Sequence, residues 1–315
     1  MAITNALNPL VVITALDDVF FQEYNYPVGP GMATAETPAV FKQDTMDNAA
    51  HIEAVSSGAG GFWMTKAEEE DVRFASPRVD NKVSYYAVTY AKALKVSKEY
   101  FDDNQHGTYA MTVKRFAANA RATRDLNAFA LYRNAFTTTL TADGVSWINS
   151  LHQTIDGATV SNRVSGNPVL APTSLKAAIV QLLQVKSQDG ITMAEQPATL
   201  VIPSALYPLA MEVTGSALVP DTANNTLNVF SSIYQIAVYQ SPFMGASNGG
   251  SDTCWILLSR NHAATRYVRE EINTDIIDYR ITLNDNYYYK GRYRETVGVT
   301  DYIGAVGSSG DGSLA

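Results

Sequence analysis

Histidine, cysteine and clustered carboxylates are the side chains that most often carry chemistry, and this chain has few of them in useful arrangements. Its four histidines lie far apart, without the i, i+4 spacing by which a helix presents two metal ligands: His51, His106, His152 and His262. The single cysteine, Cys254, lies beside the apolar stretch 255–258, which is typical of a buried, unreactive thiol. Histidines from distant segments could still meet at a metal, but ordinary core or surface histidines are favoured.

Three further motifs suggest chemistry and have simpler explanations. Glycines 58, 60 and 61 lack the spacing of a dinucleotide loop, so no phosphate cradle is predicted. The acidic run 68–71 could hold a metal ion, but such a run is more often a solvated face or a contact with a basic neighbour. Residues 287–294 interleave aromatic and cationic side chains, as in single-strand-binding proteins, but their alternation favours a sheet or a subunit contact. We therefore predict no catalytic residue, cofactor or metal.

The composition narrows the class of protein. The chain has 315 residues, 46% of them hydrophobic and 17% charged, which is enough for a sizeable core and argues against disorder. Its 31 acidic residues outnumber its 23 basic residues, and a net charge of −8 disfavours sequence-independent wrapping of nucleic acid. No run reaches the roughly 18 apolar residues of a membrane span. The early apolar run 9–16 lacks a basic flank, so we expect a soluble intracellular product without a secretory signal.

The helices and strands that would have to position any site are predicted more clearly in some parts of the chain than in others. A short helix is predicted around residues 14–24, followed by a segment rich in proline and glycine that is either a floppy terminus or an arm ordered on a neighbouring surface. Alternation from 82 to 96 predicts a strand of about 50 Å. A compact domain cannot bury that length, so we expect a projecting hairpin that partner subunits cover.

The remaining residues predict a long helix and a compact mixed domain. Periodicity predicts a helix over residues 105–136, with Lys114, Arg121 and Asp125 on the face opposite the core. Helices are expected to start at 172 and 204. Strands are expected at 199–202, 227–239, 254–258, 265–269, 277–283 and 292–299. The glycine- and serine-rich end from residue 307 predicts a flexible tail.

Four groups of residues, taken in order, carry a family resemblance. They are 95–99 with 102–104, leading into the helix up to Asn134; 200–203 with Leu206, Ala210, Ser216 and Pro220; Asn224, Asn225, Asn228 and Val229 with 236–238, 241–242 and Trp255; and 269–270, 276–277, 279–282 and 291–294. Together, over roughly residues 90–305, they resemble the major capsid proteins of tailed bacteriophages, in particular the Mu-like branch.

The resemblance implies an α+β fold, the capsid fold named after phage Hong Kong 97, and a division of the chain. Residues 1–50 would be an N-terminal arm and 51–88 an extended loop. Residues 89–139 and 265–301 would form a peripheral domain with a spine helix, residues 140–264 an axial domain, and residues 302–315 a flexible C-terminal end. The candidate subunit-contact residues are Phe62, Trp63, Arg73, Arg78, Lys82 and Tyr86.

The resemblance also implies function and partners. The chain would be a non-enzymatic structural protein that self-assembles through pentamers and hexamers into an icosahedral head enclosing double-stranded DNA. It would be assembled in the host cytoplasm and located in the virion capsid. A portal and a decoration protein would be further partners. Because the chain starts almost at the arm, without the built-in scaffold of some members, a separate scaffolding protein is also expected. Lys66 and Lys82 have no assignable cross-linking partner.

Two alternatives remain open from the sequence. An encapsulin-like shell protein would share the fold and enclose a cargo enzyme instead of DNA. An unrecognised α+β enzyme would need a deep pocket with a strongly perturbed acid–base pair.

Overall fold

The computed structural model describes residues 9–56, 61–74, 76, 79–97, 106–216, 230–277 and 286–310. Its helices are α1 (Pro9–Tyr24), α2 (His106–Ala128), α3 (Ala130–Arg133), α4 (Pro172–Leu183) and α5 (Tyr207–Gly215). Its strands are β1 (Lys42–Thr45), β2 (Ala50–Ser56), β3 (Val79–Tyr86), β4 (Val88–Ser97), β5 (His152–Gln153), β6 (Thr159–Val160), β7 (Pro197–Pro203), β8 (Ala237–Ser241), β9 (Trp255–Ser259), β10 (Ala264–Ile277), β11 (Asn286–Val299) and β12 (Ala305–Ser308).

Two four-stranded sheets organise the chain, which confirms the α+β prediction. The first has the order β1-β10-β11-β4 and the second β12-β9-β7-β8. Two small antiparallel pairs, β2 with β3 and β5 with β6, complete the strands that the structure describes. No helix in the described part of the chain is both long and apolar enough to cross a membrane.

The long extended segment is two strands and not one. It breaks at Ala87, whose N–H donates to the Ala49 carbonyl oxygen at 3.1 Å. Before the break β3 pairs with β2, and after it β4 pairs with β11 of the first sheet. The prediction of one 50 Å strand is therefore wrong, because alternation shows that residues are extended but not where the chain changes partner. The predicted hairpin is present as β2–β3.

The N-terminal segment packs on its own chain. Phe20 of α1 is fully buried against Phe116 of α2 and Tyr289 of β11. Farther on, Phe41 is fully buried with its ring edge-on to Phe129, 5.3 Å between centroids. Neither a floppy terminus nor an arm ordered on a neighbouring surface therefore describes this part of the chain. Its apolar side chains are core residues of the same subunit.

Polar contacts hold the same segment to the long helix α2 and to the short helix α3 that follows it. The Asp125 carboxylate in α2 accepts a hydrogen bond from the Ala35 N–H at 2.7 Å, and the Tyr132 hydroxyl donates to the Val40 carbonyl oxygen. Asp125 is buried, so its predicted position on the open face of the helix is wrong. The helix is covered on two sides, by the first sheet and by the N-terminal segment, and a single apolar stripe reveals only one covered side.

The C-terminal end is part of the second sheet. Residues Ala305–Ser308 form β12, which pairs antiparallel with β9, and all four are buried. The predicted flexible end is therefore wrong for residues 305–310, and residues 311–315 lie outside the described part. A Cβ at Gly307 would lie 3.2 Å from the Trp255 carbonyl oxygen, so β12 needs small residues in order to pack against β9. The same small residues suggest a flexible end when the sequence is considered alone.

Truncation tests this strand. Ending the chain after Gly304 removes buried Val306 and exposes the edge of β9, and burying one Val side chain alone contributes about 1.5–3 kcal/mol. We expect the melting temperature, followed by circular dichroism, to fall by at least about 5 °C. A matched truncation after Gly310 retains β12 and should melt like the full chain. Equal melting of both truncated chains would contradict the assignment.

The buried Asp125 predicts a pH dependence of stability. Burial raises its pKa from 3.8 to about 6, despite the hydrogen bond from Ala35. Between pH 6 and pH 4 the folded chain therefore binds this proton more tightly than the unfolded chain, and the free energy of unfolding rises as the pH falls through that interval. Asp125→Asn should remove this rise in urea titrations. Asp47→Asn, at an exposed acid, should retain it, and a rise left unchanged by Asp125→Asn would contradict the prediction.

Candidate interaction surface

The loop that joins β2 to β3, residues 61–74, presents large apolar side chains to solvent. Trp63 and Phe74 are 100% exposed and Phe62 is 76% exposed. Met64 and Val72 in the same loop are also largely exposed. Single exposed apolar residues are common, but five large ones within one loop make this loop the candidate interaction surface.

The predicted contact residues divide between this loop and the strand that follows. Phe62, Trp63 and Arg73 lie in the loop, and Arg73 donates to the Glu70 carboxylate at 3.5 Å. Lys82 and Tyr86 lie on β3 with their side chains exposed. Arg78 lies outside the described residues. The structure thus brings three of the six together in one loop, while their role in subunit contact stays a prediction.

Sequence reasoning missed three apolar residues of the loop, namely Met64, Val72 and Phe74. The signal was present, because apolar residues stand on both sides of the acidic run 68–71 in a segment without helical or strand periodicity. The run itself forms an exposed turn. The Ala67 N–H donates to a Glu70 carboxylate oxygen at 2.9 Å, and Glu69 has a left-handed backbone with φ of 64°. A solvated acidic turn therefore describes it better than a metal site.

Tyr85 anchors the base of the hairpin to the body. Its ring stacks on that of Tyr267 with 5.0 Å between centroids, and its hydroxyl lies 3.3 Å from the Thr300 hydroxyl. Any side chain at Gly298 would overlap the Tyr85 ring, so this glycine makes room for the anchor. The base of the hairpin is fixed while residues 61–74 are exposed.

A buried ion cluster holds the segments beneath this anchor. Arg124 of α2 is 2% exposed and donates to Glu295 of β11 at 2.9 Å, to Glu271 of β10 at 2.6 Å and to Glu36 at 2.5 Å. It also donates to the Tyr24 hydroxyl. Because each of its three nitrogens meets acceptors from a different segment, one guanidinium joins the N-terminal segment, the long helix and the first sheet.

A second arginine extends the cluster to β1. Arg266 of β10 is buried and donates to Glu295 at 2.7 Å and to the side-chain oxygen of Gln43 at 2.7 Å. Burial raises the pKa of Glu295, and the charge of Arg124 partly offsets that effect. Burial alone would lower the pKa of Arg124, but the carboxylates of Glu295 and Glu271 raise it above its ordinary value. Arg124 therefore stays charged, and the cluster holds these segments in a fixed arrangement.

Candidates for chemistry within the described residues lack a catalytic arrangement. A cavity of about 300 Å³ between α2 and the first sheet is lined by Phe20, Phe116, Tyr90 and Tyr293, among others, and none of its lining residues is an acid, a histidine or a cysteine. Residues 245–249 match the Gly-x-Ser-x-Gly pattern, which sequence reasoning missed. They lie in a short 3-10 turn (Ala246–Asn248) and not in the strand–turn–helix of a nucleophile elbow.

The fully buried His152 is likewise structural. Its Nδ1 lies 2.7 Å from an Asp143 carboxylate oxygen and its Nε2 lies 3.1 Å from the Trp147 carbonyl oxygen. Both ring nitrogens face acceptors, so neither is free to act as a base. Burial alone raises the pKa of Asp143, but hydrogen bonds from His152 and Thr141 hold it below its usual range. The pair fixes residues 143–152 in place.

Substitution of Gly298 tests the anchor. Gly298→Ala should displace the Tyr85 ring, lower the free energy of unfolding by about 1–3 kcal/mol and speed chymotryptic cleavage after Tyr85 and Tyr86. Gly29→Ala is the matched control, because a Cβ there meets no atom within 4 Å. If both variants are cleaved at the wild-type rate, Tyr85 does not anchor the hairpin through this glycine.

Comparison with known proteins agrees with the architecture. A family model described as phage capsid protein matches residues 80–308, well over half of the chain. No curated protein sequence matches significantly. Among solved structures, the mature capsid of bacteriophage PhiM1 aligns with a TM-score of 0.54 at 8% identity, covering 90% of this chain and 89% of that chain.

Two further structures share the fold. The capsid of Myoviridae phage XM1 aligns with a TM-score of 0.52 at 9% identity, over 90% of this chain and 94% of that one. A virus-like particle from Pyrococcus furiosus aligns with a TM-score of 0.50 at 9% identity, over 94% and 98%. The family match therefore shows what the fold alone does not: the chain belongs to the phage capsid protein family, and it is a major capsid protein, a structural subunit of an icosahedral shell.

Proposed function

We propose that the chain builds its shell by burying the loop 61–74 on a neighbouring copy, and that the shell encloses double-stranded DNA. The observation that carries the proposal is the exposure of this loop, where Trp63 and Phe74 make no contact that shields them from solvent. The subunits assemble as pentamers and hexamers, and the predicted contact residues Phe62, Trp63, Arg73, Arg78, Lys82 and Tyr86 serve this contact.

Burial of the loop would contribute a large favourable free energy to assembly. An aromatic side chain buries about 150–250 Å² when it is covered, and each Å² of apolar surface contributes about 25 cal/mol. Covering Trp63 and Phe74 therefore contributes about 8–12 kcal/mol per contact before the entropy of association is subtracted. Closed symmetry repeats the contact around the shell and makes assembly cooperative.

The two sheets support a proposed division of labour. The first sheet and α2 (His106–Ala128) form the peripheral domain, corresponding to residues 89–139 and 265–301. The second sheet with α4 and α5 forms the axial domain, residues 140–264, which meets its copies around the five-fold and six-fold axes. Because β12 pairs with β9, residues 305–308 also belong to the axial domain.

The remaining proposals rest on the family and on charge. A net charge of −8 suits a container whose lining does not hold the packed DNA tightly. A separate scaffolding protein, a portal and a decoration protein act with the subunit in the host cytoplasm before it becomes part of the virion. Within the family we place the chain in the Mu-like branch. DNA in purified particles would support the phage head, whereas a co-purifying enzyme would support the encapsulin-like alternative.

The loop gives a direct test. Trp63→Ser combined with Phe74→Ser changes two fully exposed side chains, so the unassembled subunit should keep its melting temperature within about 2 °C. Co-expression with the scaffold should then yield no stable shells, as measured by sedimentation and electron microscopy, because the apolar contact is lost.

The control for this test keeps the aromatic area. Trp63→Tyr combined with Phe74→Tyr should assemble, since a tyrosine retains most of the apolar surface of the side chain it replaces. Normal shells from the serine variant would contradict the proposed contact. Failure of both variants to assemble would show that shape, and not apolar area, is decisive at the loop.

A further inference from the structure

Three side chains with metal-binding atoms converge where the hairpin leaves the body. Asp44 lies on β1, and His51 and Glu53 lie two residues apart on β2, so that both point to the same side of that strand. Their ligand atoms all lie within 4.8 Å of one another. Residues 46–49, the turn between the two strands, bring together groups that are seven and nine positions apart in sequence.

The existing hydrogen bonds leave one oxygen of each carboxylate available. One Asp44 oxygen accepts from the Thr45 N–H at 2.8 Å. One Glu53 oxygen accepts from the Thr300 hydroxyl, while the other lies 3.5 Å from Nε2 of His51. These contacts orient the two carboxylates in the way that outer hydrogen bonds orient metal ligands. Each of the three residues therefore offers one atom to the common centre.

Tyr267 supplies an independent observation. Its side chain is fully buried, and its hydroxyl lies beside Glu53 and Thr300 without a well-formed hydrogen bond to any described residue. Its ring lies against that of His51 with 4.8 Å between centroids, and its Cα is the register partner of Asp44. A water bound to a metal in the cluster would give this hydroxyl a well-aligned partner.

We propose that Asp44, His51 and Glu53 bind a divalent transition-metal ion, with Zn²⁺ as its representative, and that solvent completes the coordination. One imidazole and two carboxylates suit Zn²⁺, whereas Ca²⁺ requires six to eight oxygen ligands. Ligand bonds of about 2.0–2.2 Å require the three atoms to move inward by about 1 Å, and Asp44 is exposed and free to rotate.

Binding would fix the direction of the hairpin. Asp44 belongs to the first sheet through the pairing of β1 with β10, and His51 and Glu53 belong to the hairpin. A metal shared between them ties the two together across the turn 46–49. The ion would thus stiffen the base of the hairpin without touching the loop 61–74.

Metal binding can be measured on the full-length subunit. Isothermal titration with Zn²⁺ should give one saturable site per chain, and His51→Ala and Asp44→Asn should each weaken the affinity at least about tenfold. Asp47→Asn is the matched control, because it removes an exposed acid in the same turn that is not one of the three ligands. Co²⁺ substitution should give a visible absorption spectrum that His51→Ala alters. Ca²⁺ should bind more weakly than Zn²⁺.

Several results would overturn the site. They are the absence of saturable Zn²⁺ binding up to about 1 mM, equal loss of affinity in Asp47→Asn and Asp44→Asn, or a wild-type affinity in His51→Ala. Circular dichroism of each variant checks that it is folded. These measurements use the unassembled subunit, so their failure would leave the role of the loop in assembly untouched.

Discussion

The ion cluster around the buried Arg124 holds the segments of the subunit in their places. Removing an arginine from water is costly, and the cost is offset only when carboxylates surround it in good geometry. Here those carboxylates come from Glu36 in the N-terminal segment and from Glu271 and Glu295 on neighbouring strands. The cluster therefore forms only when these segments are correctly placed. Breaking the fully buried pair of Arg124 with Glu295 by removing a partner typically costs about 3–5 kcal/mol. The partly exposed Glu36 and Glu271 contribute less.

The body of the subunit is fixed in this way, whereas the tip of the hairpin stays uncovered in a single subunit. Its base is held by the stacking of Tyr85 on Tyr267, and its tip presents fully exposed aromatic side chains to water. The stacked tyrosines form a contact within the subunit. We propose that the exposed aromatic side chains form a contact between subunits. A rigid subunit body with an exposed apolar loop is suited to repeated, directional assembly, because the loop meets each neighbour at a defined position.

The fold and the loop were largely predictable from the sequence, and the reasons are physical. The helical periodicity of α2 and the apolar run of β7 indicate directly which of their residues are buried. The ordered motifs indicate the family to which the chain belongs. The break at Ala87 was not predictable, since a change of pairing partner leaves alternation intact. Likewise, the glycine and serine of β12 resemble a flexible end until the bulk of Trp255 and Ile256 opposite them is known.

The buried polar residues were the hardest to predict. Arg124 and Asp125 interrupt the apolar pattern of α2, and a charged residue in a helix is ordinarily assigned to its solvent face. Only the three-dimensional arrangement shows that partners from four segments meet there. The candidate contact residues stay a prediction, although the apolar side chains Phe62 and Trp63 beside the acidic turn are visible in the sequence itself.

We propose that the loop 61–74 completes the subunit by packing on another copy. A cryo-electron microscopy reconstruction of particles assembled from the full chain with its scaffold measures this directly. We expect icosahedral shells in which Trp63 and Phe74 are buried against the neighbouring subunit. Shells in which both side chains face solvent or fold back on their own body, or subunits that stay monomeric, would contradict it.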